Sequence, residues 1–235
     1  MRYRYYDLIV GLFVAVLLTS NIASSAKIIS WERSLFGVPL AFDAGTLLFP
    51  LSYIFGDILT EVYGYRYGRR VIWIGFTSAL LMSATFWLVG RAPGEAYWNA
   101  NVGQAAYDAV LGGVSSGAIV AASLIAYMVG EFTNSYILAR MKIRMHGRRL
   151  WARTIGSTLV GEGLDTMLFV SLATLFQVPG FTPEIWATLV LTNYIFKVGV
   201  EVLMTPVTYR VVNRLKTAEN EDYYDIHTNF NPFKV

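Results

Sequence analysis

The sequence contains no cysteine and only two histidines, His146 and His227. Disulfides, thiolate metal sites and cysteine nucleophiles are thereby excluded, and a histidine-built metal centre has too few ligands. Charge is scarce as well: 15% of the 235 residues are charged, where a soluble domain carries about a quarter. There is no Walker A pattern, so the chain does not hydrolyse ATP through a phosphate-binding loop. Gly113-Val114-Ser115-Ser116-Gly117 formally fits G-x-S-x-G, yet both histidines fall in segments read as cytoplasmic. Gly113 and Gly117 read better as a G-x-x-x-G helix-packing face. No catalytic constellation or metal-ligand spacing stands out, so an enzyme is not expected and neither a cofactor nor a metal is called for.

What the chain has in abundance is apolar sequence: 55% hydrophobic residues and a mean hydropathy of +0.46. Runs of roughly 18 to 25 apolar residues match a hydrocarbon core about 30 Å thick, crossed at about 1.5 Å per helical residue. The spans expected are 7–29, 43–64, 70–90, 114–139, 155–177 and 186–210. Helices are the expected form, because backbone polar groups in lipid need internal partners. The fold class is therefore all-α: an integral membrane bundle of about six transmembrane helices. The second span is the weakest, since Asp43, Pro50, Asp57 and Glu61 fall inside it. Arg2 and Arg4 before an apolar run resemble a signal peptide, but the apolar character runs on to Ile29 and an uncleaved first helix is the simpler reading.

The basic residues fix the orientation. Arg2 and Arg4 precede the first span, and Arg66, Arg69 and Arg70 follow the second. Arg140, Lys142, Arg144, Arg148, Arg149 and Arg153 lie between the fourth and fifth; Arg210, Arg214 and Lys216 follow the sixth. These clusters share one face only if the chain crosses about six times, and the positive-inside rule makes that face cytoplasmic. Both termini are expected inside, in the inner (plasma) membrane. The outer loop from Arg91 to Gly113 is read as a short interfacial helix or a lid. Residues 1–216 read as one transmembrane domain and 217–235 as a cytoplasmic tail. An internal echo is also visible: Gly56-Asp57 leads to Gly68-Arg69-Arg70, as Gly130-Glu131 leads to Gly147-Arg148-Arg149.

Charges within lipid cost about 2.5–3.5 kcal/mol each on insertion scales, so each needs a partner or a wet cavity. Tyr53, Asp57 and Glu61 share one face of the second helix at i, i+4, i+8, and Asn193, Lys197 and Glu201 repeat that spacing on the sixth. Glu131 and Asn134 stand on the fourth, Glu162 and Asp165 on the fifth, Asn21 on the first. Four such stripes are expected to converge on a common interior pocket. Bland readings stand beside this: Lys197 and Glu201 can pair along their own helix, Glu61 and Glu131 can reach Arg66, Arg140 or water, and Asn21, Asn134 and Asn193 can serve as interhelical glue. Carboxylates and asparagines beside Phe49 and Tyr53 suit a polar organic solute with a flat face and an N–H edge, with an inorganic ion left open.

At these residues the sequence resembles the queuosine precursor transporter family, also labelled vitamin uptake transporters. The resembling stretches are Phe55-Gly56-Asp57-Ile58-Leu59-Thr60-Glu61-Val62-Tyr63-Gly64 and Asn134 to Arg140. Arg153 to Ser157 running on to Gly161-Glu162 and Asp165, Phe196-Lys197 through Glu201 to Thr205-Pro206, and the tail Asn229 to Phe233 complete them. The resemblance implies an importer of 7-deazaguanines, 7-cyano-7-deazaguanine or its aminomethyl derivative, destined for tRNA modification. It also implies Asp57, Glu61, Asn134, Glu162, Asp165, Lys197 and Glu201 as pocket or gating residues. Its partners would be that small solute and membrane lipid, with no direct nucleic-acid contact; homo-oligomerisation and proton coupling stay open. The alternative is a substrate-binding membrane subunit of an energy-coupling vitamin importer.

Overall fold

The computed structural model describes residues 3–35, 38–178 and 180–234; Arg2 of the first basic cluster lies outside them. The elements run α1 (Tyr6–Ala26), β1 (Ile28–Leu35), β2 (Val38–Asp43), α2 (Phe49–Tyr63), α3 (Tyr65–Arg91), α4 (Ala96–Asn101), α5 (Gly103–Ser115), α6 (Gly117–Arg144), α7 (Leu150–Leu175) and α8 (Trp186–Glu219). Among the described residues five helices are long and apolar enough to cross a membrane: α1, α3, the α5–α6 run, α7 and α8. The sixth expected pass falls on α2. It has 15 residues, roughly 22 Å of helix and short of a full span.

The second span therefore departs from the continuous helix expected over 43–64. Its outer end is the antiparallel β1–β2 hairpin and a 3-10 turn at Ala44–Leu47. Pro50 opens α2 in its first turn, where its missing N–H removes no helical bond. What α2 lacks in length it makes up in burial. Nearly every residue from Ser52 to Tyr63 is buried, because α1, α3, α6 and α8 all pack against it. Leu59, Val62 and Tyr63 join Phe13, Leu17 and Val71 in the main apolar core.

α3, α6 and α8 run past their expected ends, whereas α1 stops at Ala26 before the expected 29 and α7 at Leu175 before 177. The 28 residues of α6 and 34 of α8 make rods of roughly 42 and 51 Å, longer than the hydrocarbon is thick. Arg140, Lys142, Arg210, Arg214 and Lys216, expected in loops, thus ride on the projecting last turns. Arg153 is fully buried in the first turn of α7. The outer loop holds the short exposed α4 and then α5, which leans on α3 through a Tyr107 hydroxyl donating to Phe86 O at 2.6 Å. Gly113 and Gly117 do not form one packing face. The chain breaks helix at Ser116; Gly113 abuts Ser25 of α1, whereas Gly117 has open space around it.

Contacts at one end of the bundle bear out the topology. The Tyr5 amide donates to Glu219 at 2.6 Å and the Tyr63 hydroxyl to the same carboxylate at 3.0 Å, uniting the start of α1, the end of α2 and the end of α8. Tyr3, Tyr6, Tyr63 and Tyr67 pack edge-on around that junction. The segment after α8 then runs beneath the bundle. Tyr223 N donates to Val62 O, and Asp225 accepts from the Tyr65 amide at 3.0 Å. Arg69 binds the carbonyls of Asn229 and Asn231, and Trp73 binds that of Pro232.

The tightest interhelical approach is between α6 and α7. A Cβ on Gly130 would sit 2.7 Å from Asp165 Cβ, and one on Gly161 would sit 2.7 Å from Asn134 Cβ and 3.0 Å from the Gly130 carbonyl. Backbone lies against backbone here, so neither site can yield. Gly161→Ala should therefore destabilise the protein by about 1–3 kcal/mol despite the better helix propensity of alanine. Gly117→Ala, with nothing near its Cβ, should be neutral or stabilising. Thermal unfolding of the detergent-solubilised variants checks this; equal melting points would count against the close contact.

Candidate functional site

The close α6–α7 contact presents the acidic side chains of both helices to α2 and α8. Lys197 of α8 reaches across to α7, with Nζ 2.6 Å from Asp165 Oδ2 and 3.0 Å from Glu162 Oε2. This corrects the i, i+4 reading in which Lys197 neutralises Glu201 on its own helix. The Tyr53 ring of α2 lies under the same ammonium, 6.0 Å from its centroid. Asp57 accepts from the Asn134 side-chain amide at 2.6 Å, tying α2 to α6. Glu131 comes up against Gly56, where a Cβ would stand 3.2 Å from its carboxylate. Glu201 is close enough to act electrostatically on both Asp57 and Glu162.

The outcome, among the described residues, is a polar layer in which Lys197 pairs with Glu162 and Asp165 while the carboxyl groups of Asp57, Glu131 and Glu201 lie near by with no cation in contact. Asp57, Glu131, Glu162 and Glu201 are at most 1% exposed. Among the described residues both oxygens of Glu131, both of Glu201, Asp57 Oδ2 and Asn134 Oδ1 lack a hydrogen-bond donor. A buried acceptor without a donor is costly, by about 1–3 kcal/mol and more when charged. The site is therefore chemically unbalanced toward acceptors: it has room in its bonding, though not in its closed form, for a ligand rich in N–H donors or for protons. The open edge lies at Lys197 and Asp165, whose side chains are 16% and 13% exposed.

Not every expected site residue joins this group. Asn21 and Asn193 turn their amides onto their own helices, to Leu17 O and Leu189 O. Phe49 stands at the first turn of α2, with its carbonyl accepting from Ser52. Glu61 belongs to a second, inner cluster. One of its oxygens lies 2.7 Å from Arg153 of α7, 2.7 Å from Lys216 of α8 and 3.6 Å from Lys142 of α6. These, rather than Arg66 or Arg140, are its partners. Asp222 completes the cluster, 2.5 Å from Lys142 and 2.8 Å from Lys216.

Arg153, Lys142, Lys216 and Asp222 were missed as functional candidates because each reads as part of a solvated basic loop or polar tail. The available signal was the carboxylate itself: a Glu this deep in a span demands cations, and Arg153 opens one of the stretches that carry the family resemblance. Burial works against the Asp222 charge, but the hydrogen bonds from Lys142 and Lys216 outweigh it and hold the carboxyl below its usual range. Its contribution is thus present above that ordinary range and is lost as pH falls through the lowered value. Burial pushes the Asp225 carboxyl up, only partly offset by the Tyr65 N–H.

Comparison with known proteins finds transporters. A family model described as putative vitamin uptake transporter matches residues 43–211, which include every member of the midmembrane cluster. The "Probable queuosine precursor transporter" of Bacillus subtilis is 27% identical over 85% of this chain and 82% of its own length. The "Queuosine precursor transporter" of Escherichia coli is 25% identical over 81% of this chain and 80% of its own. The "Probable queuosine precursor transporter" of Haemophilus influenzae is 24% identical over 72% and 67%. No solved structure matches the chain.

Removing one member of a buried ion pair leaves the other uncompensated, at about 3–5 kcal/mol. Arg153→Met should therefore lower the melting temperature sharply, and adding Glu61→Gln to it should recover much of the loss. Lys216→Met should be milder, because that side chain is 20% exposed. If Arg153→Met melts no lower than Lys216→Met, the two lysines alone satisfy Glu61.

Proposed function

This chain belongs to the putative vitamin uptake transporter family, and we propose that within it the chain imports queuosine precursors, taking up 7-deazaguanines at the midmembrane carboxylates. It is a multi-pass protein of the cell membrane, its small solute reached through lipid-embedded helices rather than a soluble cleft. The observation that carries the reading is the surplus of donor-less acceptors around Asp57, Glu131 and Glu201 beside one cation and an aromatic face. The names of the curated relatives support the same solute class.

A guanine-like ring presents two adjacent N–H donors and, next to them, a carbonyl. One carboxylate can take the paired donors as a fork, and Lys197 can meet the carbonyl once Glu162 or Asp165 releases it. Tyr53 offers a face for stacking. Burial of Asp57, Glu131, Glu162 and Glu201 supports alternating access, in which a solute enters after one side opens and leaves after the other does. Protons on the surplus carboxyls would balance the empty site, so that solute binding and proton release are linked. Homo-oligomerisation is not required by any part of this scheme.

The test is complementation of bacteria that neither make nor import 7-deazaguanines, given a low external precursor, with queuosine in tRNA as the readout. The intact chain should restore queuosine. Asp57→Asn and Lys197→Met, at equal membrane abundance, should reduce uptake roughly 10- to 100-fold, the effect of one lost hydrogen bond to a charged group. Full uptake by Asp57→Asn would remove that carboxylate from the path. No queuosine, with intact protein in the membrane and salvage enzymes active, would reject the solute class. Uptake by the purified chain in liposomes would reject the reading as a binding subunit that depends on a separate ATPase.

A further inference from the structure

We infer that Glu61 and the segment following α8 form the cytoplasmic gate of this carrier, with Asp222 as the residue that fastens it; the inference rests on the alternating-access reading above. Glu61 follows Asp57 by four residues, so its cluster sits one helical turn closer to the cytoplasm on the same face of α2. Anything leaving the midmembrane site inward along α2 must pass it. At that level Glu61 gathers cations from α6, α7 and α8 at once, drawing four helices onto one carboxylate.

The tail closes the seam from below. Asp222 bridges Lys142 and Lys216, and Lys142 also donates to the carbonyls of Glu61 and Tyr223. Tyr223 and Tyr224 press into the turns that end α2 and α6. These turns are made by Gly64 and Gly147, both in the left-handed region at φ 87° and 72°, and a Cβ on either would collide with the tyrosine. The segment therefore spans both helical hairpins, and the two cannot separate at this end while it stays in place.

The chemistry suits a gate better than a permanent weld. An apolar seam has nothing to gain from water when it parts. Lys216, 20% exposed, and Asp222, 43% exposed, regain hydration as they separate, so that pair holds the seam with a small net free energy. Arg153, fully buried, stays with Glu61 and keeps that charge satisfied when the lysines leave.

Because the chain has no cysteine, a single introduced one is its only thiol. Ser135, 1% exposed, lies between the midmembrane site and the gate and bonds to Thr60 of α2. In Ser135→Cys, labelling by a membrane-impermeant maleimide from the cytoplasmic face should be slow. Adding Asp222→Ala, or separately Asp225→Ala, should raise that rate about tenfold, as loss of a charge-assisted contact would, while labelling from the outer face stays unchanged. No increase in either variant, with melting curves showing folded protein, overturns the gate. An equal rise from both faces also overturns it, since that reports general loosening. The assay needs no solute, so restored queuosine with unaltered labelling would leave import standing and remove the gate, and the reverse pattern would do the opposite.

Discussion

A helix can carry carboxylates through lipid only if they face protein, and two helices can share them only if their backbones come close enough to shut out hydrocarbon. In this protein that condition is met at Gly130 and Gly161, where α6 and α7 approach to backbone contact. Any larger side chain there would hold Glu131 and Asn134 apart from Glu162 and Asp165. With α7 fixed against α6, α8 can place Lys197 on α7 and α2 can place Asp57 on Asn134. The polar interior follows from an apolar, steric fact.

Two clusters of opposite balance hang on α2, one turn apart. Among the described residues the upper one holds five carboxyls and one ammonium; the lower holds Glu61 and Asp222 against Arg153, Lys142 and Lys216. A satisfied cluster resists entry and an unsatisfied one invites it, since donor-less buried acceptors gain most from a ligand. In the proposed carrier, the difference between neighbouring turns of a single helix separates a place to bind from a place to close.

The membrane class, about six passes and the common end shared by the basic clusters were legible from apolar runs and arginine clusters, because lipid thickness and charge asymmetry act on long windows of sequence. Convergence of Asp57, Glu131, Glu162, Asp165 and Lys197 was legible too, since no other arrangement spares them from lipid. Partner choice was not. A lysine at i and a glutamate at i+4 can pair locally, but Lys197 gains two acceptors on α7 by turning away from Glu201, and nothing in the spacing tells which wins. The shortness of α2 was hidden by averaging across Asp43 and Pro50. The tail was misleading for a different reason. Its side chains are polar and read as solvated, yet its docking depends on backbone carbonyls at Asn229, Asn231 and Pro232 that meet Arg69 and Trp73. Backbone acceptors leave no trace in residue identity.

The echo between Gly56-Asp57 and Gly130-Glu131 has a physical reading once the helices are placed, and it extends to a third copy at Gly161-Glu162. Each glycine precedes an acid and opens a backbone groove at that acid's height. Gly56 receives the carboxylate of Glu131, Gly130 receives Asp165, and Gly161 receives Asn134. Every Gly–acid step thus does two jobs: its own carboxyl enters the interior, and its glycine admits a polar side chain from a neighbouring helix. The step is one local solution and not a universal one, since Glu61, Asp165 and Glu201 follow Thr60, Leu164 and Val200; its recurrence on three helices meets the same packing constraint and needs no ancestral duplication to account for it.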